Sequence, residues 1–489
     1  MNFPAMNRAR RAGPLALALA ASVVAATLAG CASEAGLQGR LNAEAQPATA
    51  SLGVTPLSLK EPVAQAQVPA SEAWWKALGD ASLDQLIDQA LASSPTLKVV
   101  QARVDKALSG EMYAGAAHLP AVQARAEADR VRYTGVGPYP PPLAGSVRTL
   151  GTLQLEGEVN LDLFGRHRAE LEAAIGQRQA ALADQAAART QLSAQVARQY
   201  LQLGRLVAQR EVASRNLDQR QELLALIRQR VQAGLDTQVE LKQGEGALPD
   251  TRQQLEALDE QIRLSRLQLA ALTAQPPAAT ATLAPAWPRL QLAALPERVP
   301  LNLLGQRADV LALKWRAQAA TAQSDAARTL FYPDLNLKGY LGLSAIGLDR
   351  VFKSDAQQWG VMPALDLPLF DGDRRRANLQ SHLADQDAAI AAYEQGVIDA
   401  VREVSEQLVS ADSVARQLAE QQQAQQAAEA AYQVAVQRYK AGLGPYLTVL
   451  QAEGQVLQQR RLGVDLQARA FDTRVGLARA LGGHWPAAQ

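Results

Sequence analysis

Two hydrophobic periods alternate along this chain. Positions seven apart from residue 175 read Ile175, Leu182, Arg189, Val196, Leu203, Arg210, Leu217, Leu224 and Val231. The same positions advanced by 208 read Leu383, Ile390, Val397, Val404, Ala411, Leu418, Gln425, Tyr432 and Tyr439. A heptad seam held this long predicts one very long helix of coiled-coil type in each half. Over about 168 to 233 such a helix is roughly 100 Å long at 1.5 Å per residue. Gly234 and Gly442 supply the permissive backbone for its end, and a second helix returns over about 237–272 and about 446–481. A solvated structural coiled coil would carry the same pattern.

Between the helical parts the period is two. Over residues 152–163, Leu153, Leu155, Gly157, Val159, Leu161 and Leu163 alternate with polar residues, and Val122, Ala124, Ala126 and Ala128 do the same before them. The second half repeats the device with Leu335, Leu337, Gly339, Leu341 and Leu343, then with Trp359, Val361, Leu365, Leu367 and Leu369. These patterns predict four strands in two hairpins, each with one apolar and one polar face. A soluble sheet packs its apolar face on a core, but the neighbouring sequence is long helix and offers no covering layer. Lipid is the other apolar phase. Strands in lipid must close so that no edge stays unpaired, and single-chain barrels begin at about eight strands. Four strands per chain therefore predict an oligomer that shares one barrel, with Arg125, Glu127, Glu156 and Glu158 lining a watery lumen. Pro363 and Pro368 fall in the last pattern, where each removes a ladder donor. Trp359, Tyr340, Phe331 and Tyr332 stand near strand ends, where interfacial aromatics belong.

The chain is duplicated. Arg230, Ala233, Gly234, Leu235, Gln243, Glu245 and Gly246 recur 208 residues later as Arg438, Ala441, Gly442, Leu443, Gln451, Glu453 and Gly454. Pro120 recurs as Pro333 at an offset of 213, the change that a loop of different length gives. The organisation follows: residues 1–30 as a signal peptide, 31–70 as a tether, and 71–275 as a first repeat with a β-hairpin about 120–164 and a helical hairpin about 168–272. A Pro-rich linker covers 276–300. The second repeat, 301–489, has a β-hairpin about 333–370 and a helical hairpin about 373–481.

Composition narrows the chemistry. Lys and Arg number 49 against 48 Asp and Glu, a balance that argues against nucleic-acid binding, which needs a basic surplus. Arg8, Arg10 and Arg11 precede an apolar run over residues 15–29, and then comes Leu28-Ala29-Gly30-Cys31. That is a signal peptide, and fifteen apolar residues fall short of the roughly 20 that span a bilayer. The tetrapeptide resembles a bacterial lipobox, whose cysteine receives a diacylglyceryl group and becomes the first residue. Cys31 is the only cysteine, so the chain has no internal disulfide and no Cys-based zinc site. By the same resemblance, a residue other than Asp after the cysteine, here Ala32, permits transfer to the outer membrane. No zinc-protease, nucleophile-elbow, Walker A or dinucleotide motif occurs. His118, His167, His382 and His484 are scattered, and the carboxylates lie along helix faces. This is not the sequence of an enzyme, and it calls for no cofactor beyond a covalent lipid on Cys31.

Specific stretches add a family likeness. They are Trp74-Trp75 with Asp80, Leu83 and Leu86; Leu161-Asp162-Leu163-Phe164-Gly165-Arg166; Arg307-Ala308-Asp309-Val310; Pro368-Leu369-Phe370-Asp371-Gly372; Arg438 to Leu443; and Ala480 to Trp485. In this order, with the lipobox and the duplicated hairpins, they make the chain resemble the TolC-like outer membrane factors, especially the NodT-type efflux lipoproteins. The resemblance implies an α+β membrane protein acting as a homotrimer. Its strands would form a twelve-stranded barrel in the outer membrane, continued by a coiled-coil helical barrel through the periplasm. It also implies passive exit of small molecules, delivered by an inner-membrane pump of the resistance-nodulation-division type through a periplasmic adaptor that docks on the helical tips. Those tips are Gly234, Leu235, Gly442 and Leu443. A polar link between Glu240 and Tyr439 would close them, and a ring of Leu447 and Gln451 would narrow the bore. Thr448 and Gln451 replace the acids that several members carry there, so the ring is uncharged. Protein export through the same kind of duct stays open as an alternative cargo. A periplasmic adaptor fits less well, since it has one helical hairpin where this chain has two.

Overall fold

The computed structural model describes residues 34–41, 73–285, 287 and 307–483; Cys31, the preceding apolar run and His484 lie outside them. Both halves follow one plan. After a short helix α1 (Ala81–Ser93), the first half runs α2 (Pro95–Ala116), β1 (Ala121–Arg132), β2 (Val147–Asn160), α3 (Arg166–Gln232) and α4 (Gln238–Leu272). The second runs α5 (Ala308–Thr329), β3 (Asp334–Ile346), β4 (Gln357–Asp366), α6 (Arg374–Lys440) and α7 (Tyr446–Ala480). The long helices α3 and α6 have 67 residues each and the return helices α4 and α7 have 35 each. Pro368 lies beyond β4, whereas Pro363 sits inside it opposite Leu337.

The strands form one antiparallel sheet in the order β1-β2-β3-β4. Its register carries the period of two across all four strands. Ala124 stands opposite Leu155, Leu155 opposite Leu341, and Leu341 opposite Trp359. One row over, Gln123 faces Glu156 and Glu156 faces Tyr340. One face is therefore apolar and the other polar, strand after strand, and β1 and β4 each pair on one side only.

Helices α4, α3, α7 and α6 lie side by side in that order, with α5 between the sheet-proximal parts of α3 and α6 and α2 against α3. The expected seam holds well in α6, which buries Leu383, Ile390, Val397, Val404, Ala411, Tyr432 and Tyr439. Of the matching positions in α3, Val196, Leu203 and Leu224 are buried while Arg189 and Arg210 are exposed. The difference is physical: α3 meets neighbours on several sides. Where it meets α5 it buries small residues, Ala180 and Ala183, against Leu311, Ala312 and Trp315, so the two backbones approach closely.

At mid-length the segment before α1 wraps onto α3. Asp80 caps α1, accepting from the Ser82 amide at 2.8 Å, and also accepts from the Tyr200 hydroxyl at 2.7 Å. Trp74 donates its indole N–H to Ser193, and Trp74, Trp75, Leu83 and Ile87 share a core with Val196, Leu203, Leu269 and Val475. Arg307, itself buried, spans Asp309, Glu403 and the Ala480 carbonyl, which ties the start of the second half to its end. Nearer the sheet, residues 34–41 lie along α6: the Arg40 and Leu41 amides both donate to Asp387 at 2.9 Å, and Leu37 packs on Phe331, Leu379 and Leu383.

Candidate functional site

The chemistry of the sheet is set by which face is covered. On the apolar face Val122, Leu155, Leu341, Trp359, Val361 and Leu365 are all exposed, Leu341 by 63% and Trp359 by 76%. No helix or loop among the described residues covers them. A soluble protein rarely leaves so broad an apolar area in water. On the polar face the four residues expected to line a lumen come together: Arg125 pairs with Glu127 at 3.2 Å and with Glu156 at 3.3 Å, and Glu158 pairs with Lys338 at 3.2 Å. Gln123 donates to Glu156, and Gln358 to Gln154. This face is wettable, and the charges named are paired within one chain.

The strands pass into the long helices through two matching corners. The Asp162 carboxylate accepts from the amides of His167 and Arg168, and Asp371 accepts from the Arg375 amide. Each caps a helix start, where free amides and the helix dipole favour an anion. The aromatic expectation needs correction. Phe331 is buried beneath α6 and Tyr340 lies on the polar face, so neither is interfacial. Phe164, stacked on Tyr332 with ring centres 4.9 Å apart, and Phe370, 90% exposed, stand at the sheet-to-helix corners instead. Two of the scattered histidines also meet here, His118 and His167, with ring centres 5.9 Å apart.

At the far end both helical hairpins turn alike. Gly234 and Gly442 take φ of 74° and 73°, the left-handed conformation that side chains disfavour. The Leu235 and Leu443 amides then reach back to the Arg230 and Arg438 carbonyls at 2.9 and 2.8 Å, the wrap that closes a helix C-terminus. Leu235 and Leu443 remain exposed.

The expected link between Glu240 and Tyr439 is not formed within the chain. Glu240 faces back along its own helix and accepts from the Thr237 amide at 2.9 Å, half of a capping box that starts α4; the Thr237 hydrogen bonds hold its carboxyl below the usual range. Tyr439 donates instead to Asp236. The turn brings Asp236 over Arg230, whose guanidinium grips it at 2.9 and 3.2 Å and also lies over the Tyr439 ring, 4.6 Å from its centre. Burial alone raises the Asp236 carboxyl, but the hydrogen bonds from Arg230 and Tyr439 outweigh it and leave it lowered. Burial and the neighbouring carboxylate push the Tyr439 hydroxyl up, so it stays a donor. This cluster joins the two turns of one chain. On α7, Tyr446, Val449 and Glu453 face inward, while Leu447, Thr448 and Gln451 share the exposed face.

A deeper ionic contact joins the hairpins, and the sequence pattern gave no sign of it. Glu453 of α7, 3% exposed, takes the Arg220 guanidinium at 2.9 Å and the Asn216 amide at 2.7 Å, both from α3. Arg220 also donates to the Ala247 carbonyl and to Thr251 of α4. Among the described residues no group of three or more His, Cys, Asp or Glu could hold a metal, and no helix is long and apolar enough to cross a membrane.

The chain matches a protein-family model described as "Outer membrane efflux protein" over residues 86–275 and 299–483. It is 33% identical over 431 residues to the multidrug resistance outer membrane protein MdtP of Shigella flexneri, covering 85% of this chain and 87% of that one. It is 32% identical over 451 residues to the pyoverdine export outer membrane protein OpmQ of Pseudomonas putida, covering 90% and 94%. Among solved structures, the outer membrane protein VceC of Vibrio cholerae superposes with a TM-score of 0.80 at 34% identity, covering 84% of this chain and 99% of that one.

Leu341→Arg, on the uncovered apolar face, costs about 2–4 kcal/mol of folding stability in a bilayer, whereas Ser344→Arg on the polar face costs little; urea unfolding in liposomes measures both, and equal losses would contradict the assignment of faces. At the tip, the lowered Asp236 carboxyl contributes stability above the ordinary carboxylate range, near pH ~3.9. That contribution disappears as pH falls through its depressed folded value. Hydrogen exchange of the two turns should therefore rise on acidification below pH ~4 in the wild type, beyond the intrinsic trend, and to a smaller extent in Asp236→Asn, which has already lost the charge.

Proposed function

This chain belongs to the outer membrane efflux protein family, and from that premise we propose that three copies close one barrel of twelve strands, four from each. As a member, it is an outer-membrane channel of an efflux system, with strands in the membrane and helices in the periplasm, and not an enzyme. Its place is in a tripartite system.

The observation that carries it is the four-stranded sheet with an uncovered apolar face and two one-sided edges. In lipid each unpaired backbone group costs several kcal/mol, roughly, so β4 of one copy takes β1 of the next until the ring closes. The helices beneath the sheet, flanked by α4 on one side and α6 on the other, then continue the wall. Arg125, Glu127, Glu156 and Glu158 face the bore. Cys31 carries the covalent lipid in this reading; its support is that Glu34 accepts from Tyr332 beside the sheet-to-helix corners and that Arg40 and Leu41 are held by Asp387 of α6. At the tips, Leu447 and Gln451 narrow the bore, and the exposed Leu235, Val239 and Leu443 offer apolar contacts to a periplasmic adaptor. The adaptor links the tips to a pump of the resistance-nodulation-division type, which supplies the energy. Relatives are named for multidrug resistance and for pyoverdine export; by that likeness the cargo is a small organic molecule.

Detergent extracts of outer membranes should yield particles of three 52.2 kDa precursor-length chains, less the signal peptide, that conduct ions in planar bilayers. Palmitate label on the protein should be lost in Cys31→Ser. A monomer that forms no pore would contradict the assembly, and label retained in Cys31→Ser would contradict the anchor.

A further inference from the structure

The register of the sheet assigns every strand residue to one of two faces, and the apolar face breaks its own rule at one end. From Leu335 and Leu365 near the helices to Ala128, Gly151 and Ala345 near the loops, each residue on it is uncharged. The next row sets Arg130 opposite Thr149, and the row after it sets Arg132 opposite Val147. These arginines are the only charges on this face of the four strands. Both are exposed, and among the described residues neither side chain forms an ion pair or a hydrogen bond.

Their height follows from strand geometry. Ten residues separate Leu335 from Ala345. At about 3.3 Å per residue and a tilt of about 40°, that length rises roughly 25 Å, the height of the apolar band on an outer-membrane barrel. The arginines therefore begin where hydrocarbon ends. Both long helices leave from the opposite end of the sheet, after Asn160 and Asp366, so with helices in the periplasm Arg130 and Arg132 stand among the headgroups of the outer leaflet. The loop after β3 marks the same level: Leu348 and Val351 lie over Gly151, and the exposed Phe352 follows them, an aromatic ring where interfacial rings belong. Two residues apart on one strand, the arginines have Cα atoms about 7 Å from each other. Like charges this close repel, and an anion between them reverses the cost. Phosphate suits arginine best, since the planar guanidinium grips it through two parallel N–H bonds.

We propose that Arg130 and Arg132 form a binding site for the phosphate-bearing headgroup of an outer-leaflet lipid. Arginine facing lipid costs little at this height and much more at the bilayer centre. Below the arginines, Ala124, Ala126 and Ala128 of β1 stand beside the larger Leu153 and Leu155 of β2, a shallow strip that takes an acyl chain of the same molecule. At the same end of the sheet Arg148 lies on the polar face and donates to Ser146 at 3.3 Å, so it is no part of the site. The proposal rests on the sheet facing lipid, and not on the number of copies that close it.

The test uses the full lipidated chain, purified in detergent and freed of bound lipid, with binding read by native mass spectrometry. Two probes differ only in phosphate: diphosphoryl lipid A and its dephosphorylated form. The wild type should bind the phosphorylated probe about tenfold more tightly, the worth of one charge-assisted contact. Arg130→Gln with Arg132→Gln should abolish that preference, and Arg130→Lys with Arg132→Lys should keep part of it. The single variants Arg130→Gln and Arg132→Gln, each losing part, serve should the double variant fold poorly. Arg148→Gln should bind as the wild type does. Equal binding of the two probes by the wild type would overturn the proposal, as would a preference that survives both arginine substitutions or vanishes with Arg148→Gln. Inorganic phosphate bound as tightly as the phosphorylated lipid would overturn it too, by assigning the arginines to a soluble anion. Because the site lies within one copy, the measurement reads the same on a monomer or a trimer, so its failure is distinct from that of the shared barrel.

Discussion

The backbone of a strand surrounded by hydrocarbon has no solvent to bond with, and this constraint organises the whole molecule. A sheet of four strands has two edges that cannot remain open in lipid, and its exposed Leu341, Trp359, Val361 and Leu365 have no other place to go. The proposed ring closure with other copies would satisfy both demands at once. In that proposed ring the helices that grow from Asp162 and Asp371 would close as well, because each long helix starts directly from a strand corner. The membrane part therefore dictates the geometry of the periplasmic part, although the helices hold most of the buried side chains.

Below the corners a different physics takes over. Sheet-proximal α3 and α5 approach through alanines, mid-length packing uses Trp74, Trp75, Tyr200 and Leu203, and the turn-proximal part relies on tyrosines and buried ions. Buried ion pairs contribute little net stability, but removing one partner typically costs about 3–5 kcal/mol. They resist displacement more than they strengthen the fold. One such pair, Arg220 with Glu453, sits between α3 and α7, while the matching positions of α6 and α4 carry Ala428 and Glu245.

Much of this was legible in the sequence. The period of two marked all four strands within a few residues, since a half-buried face needs strict alternation whether its cover is protein or lipid. The heptad marked α6 well and α3 less well, because a helix with partners on several sides buries more than one stripe, and alanine carries little signal in an alanine-rich chain. The two glycine turns were plain from Gly234 and Gly442. What was hidden depended on tertiary geometry. Tyr439 takes Asp236 rather than Glu240 because the turn folds Asp236 back over Arg230, while Thr237 engages Glu240 in a cap. Phe331 reads as an interfacial aromatic until α6 is laid across it. The ionic contact between α3 and α7 joins residues more than 230 positions apart, Arg220 with Glu453, and no local pattern predicts such a pairing.

Whether the sheet keeps open edges in lipid decides between a shared barrel and a lone sheet. Hydrogen exchange of the lipid-embedded protein, resolved by strand, tests this most directly. A closed ring predicts that the amides of β1 and β4 are as protected as those of β2 and β3 along their whole length. Rapid exchange at alternate residues of β1 and β4, beside a protected β2 and β3, would show unpaired edges and contradict the shared barrel.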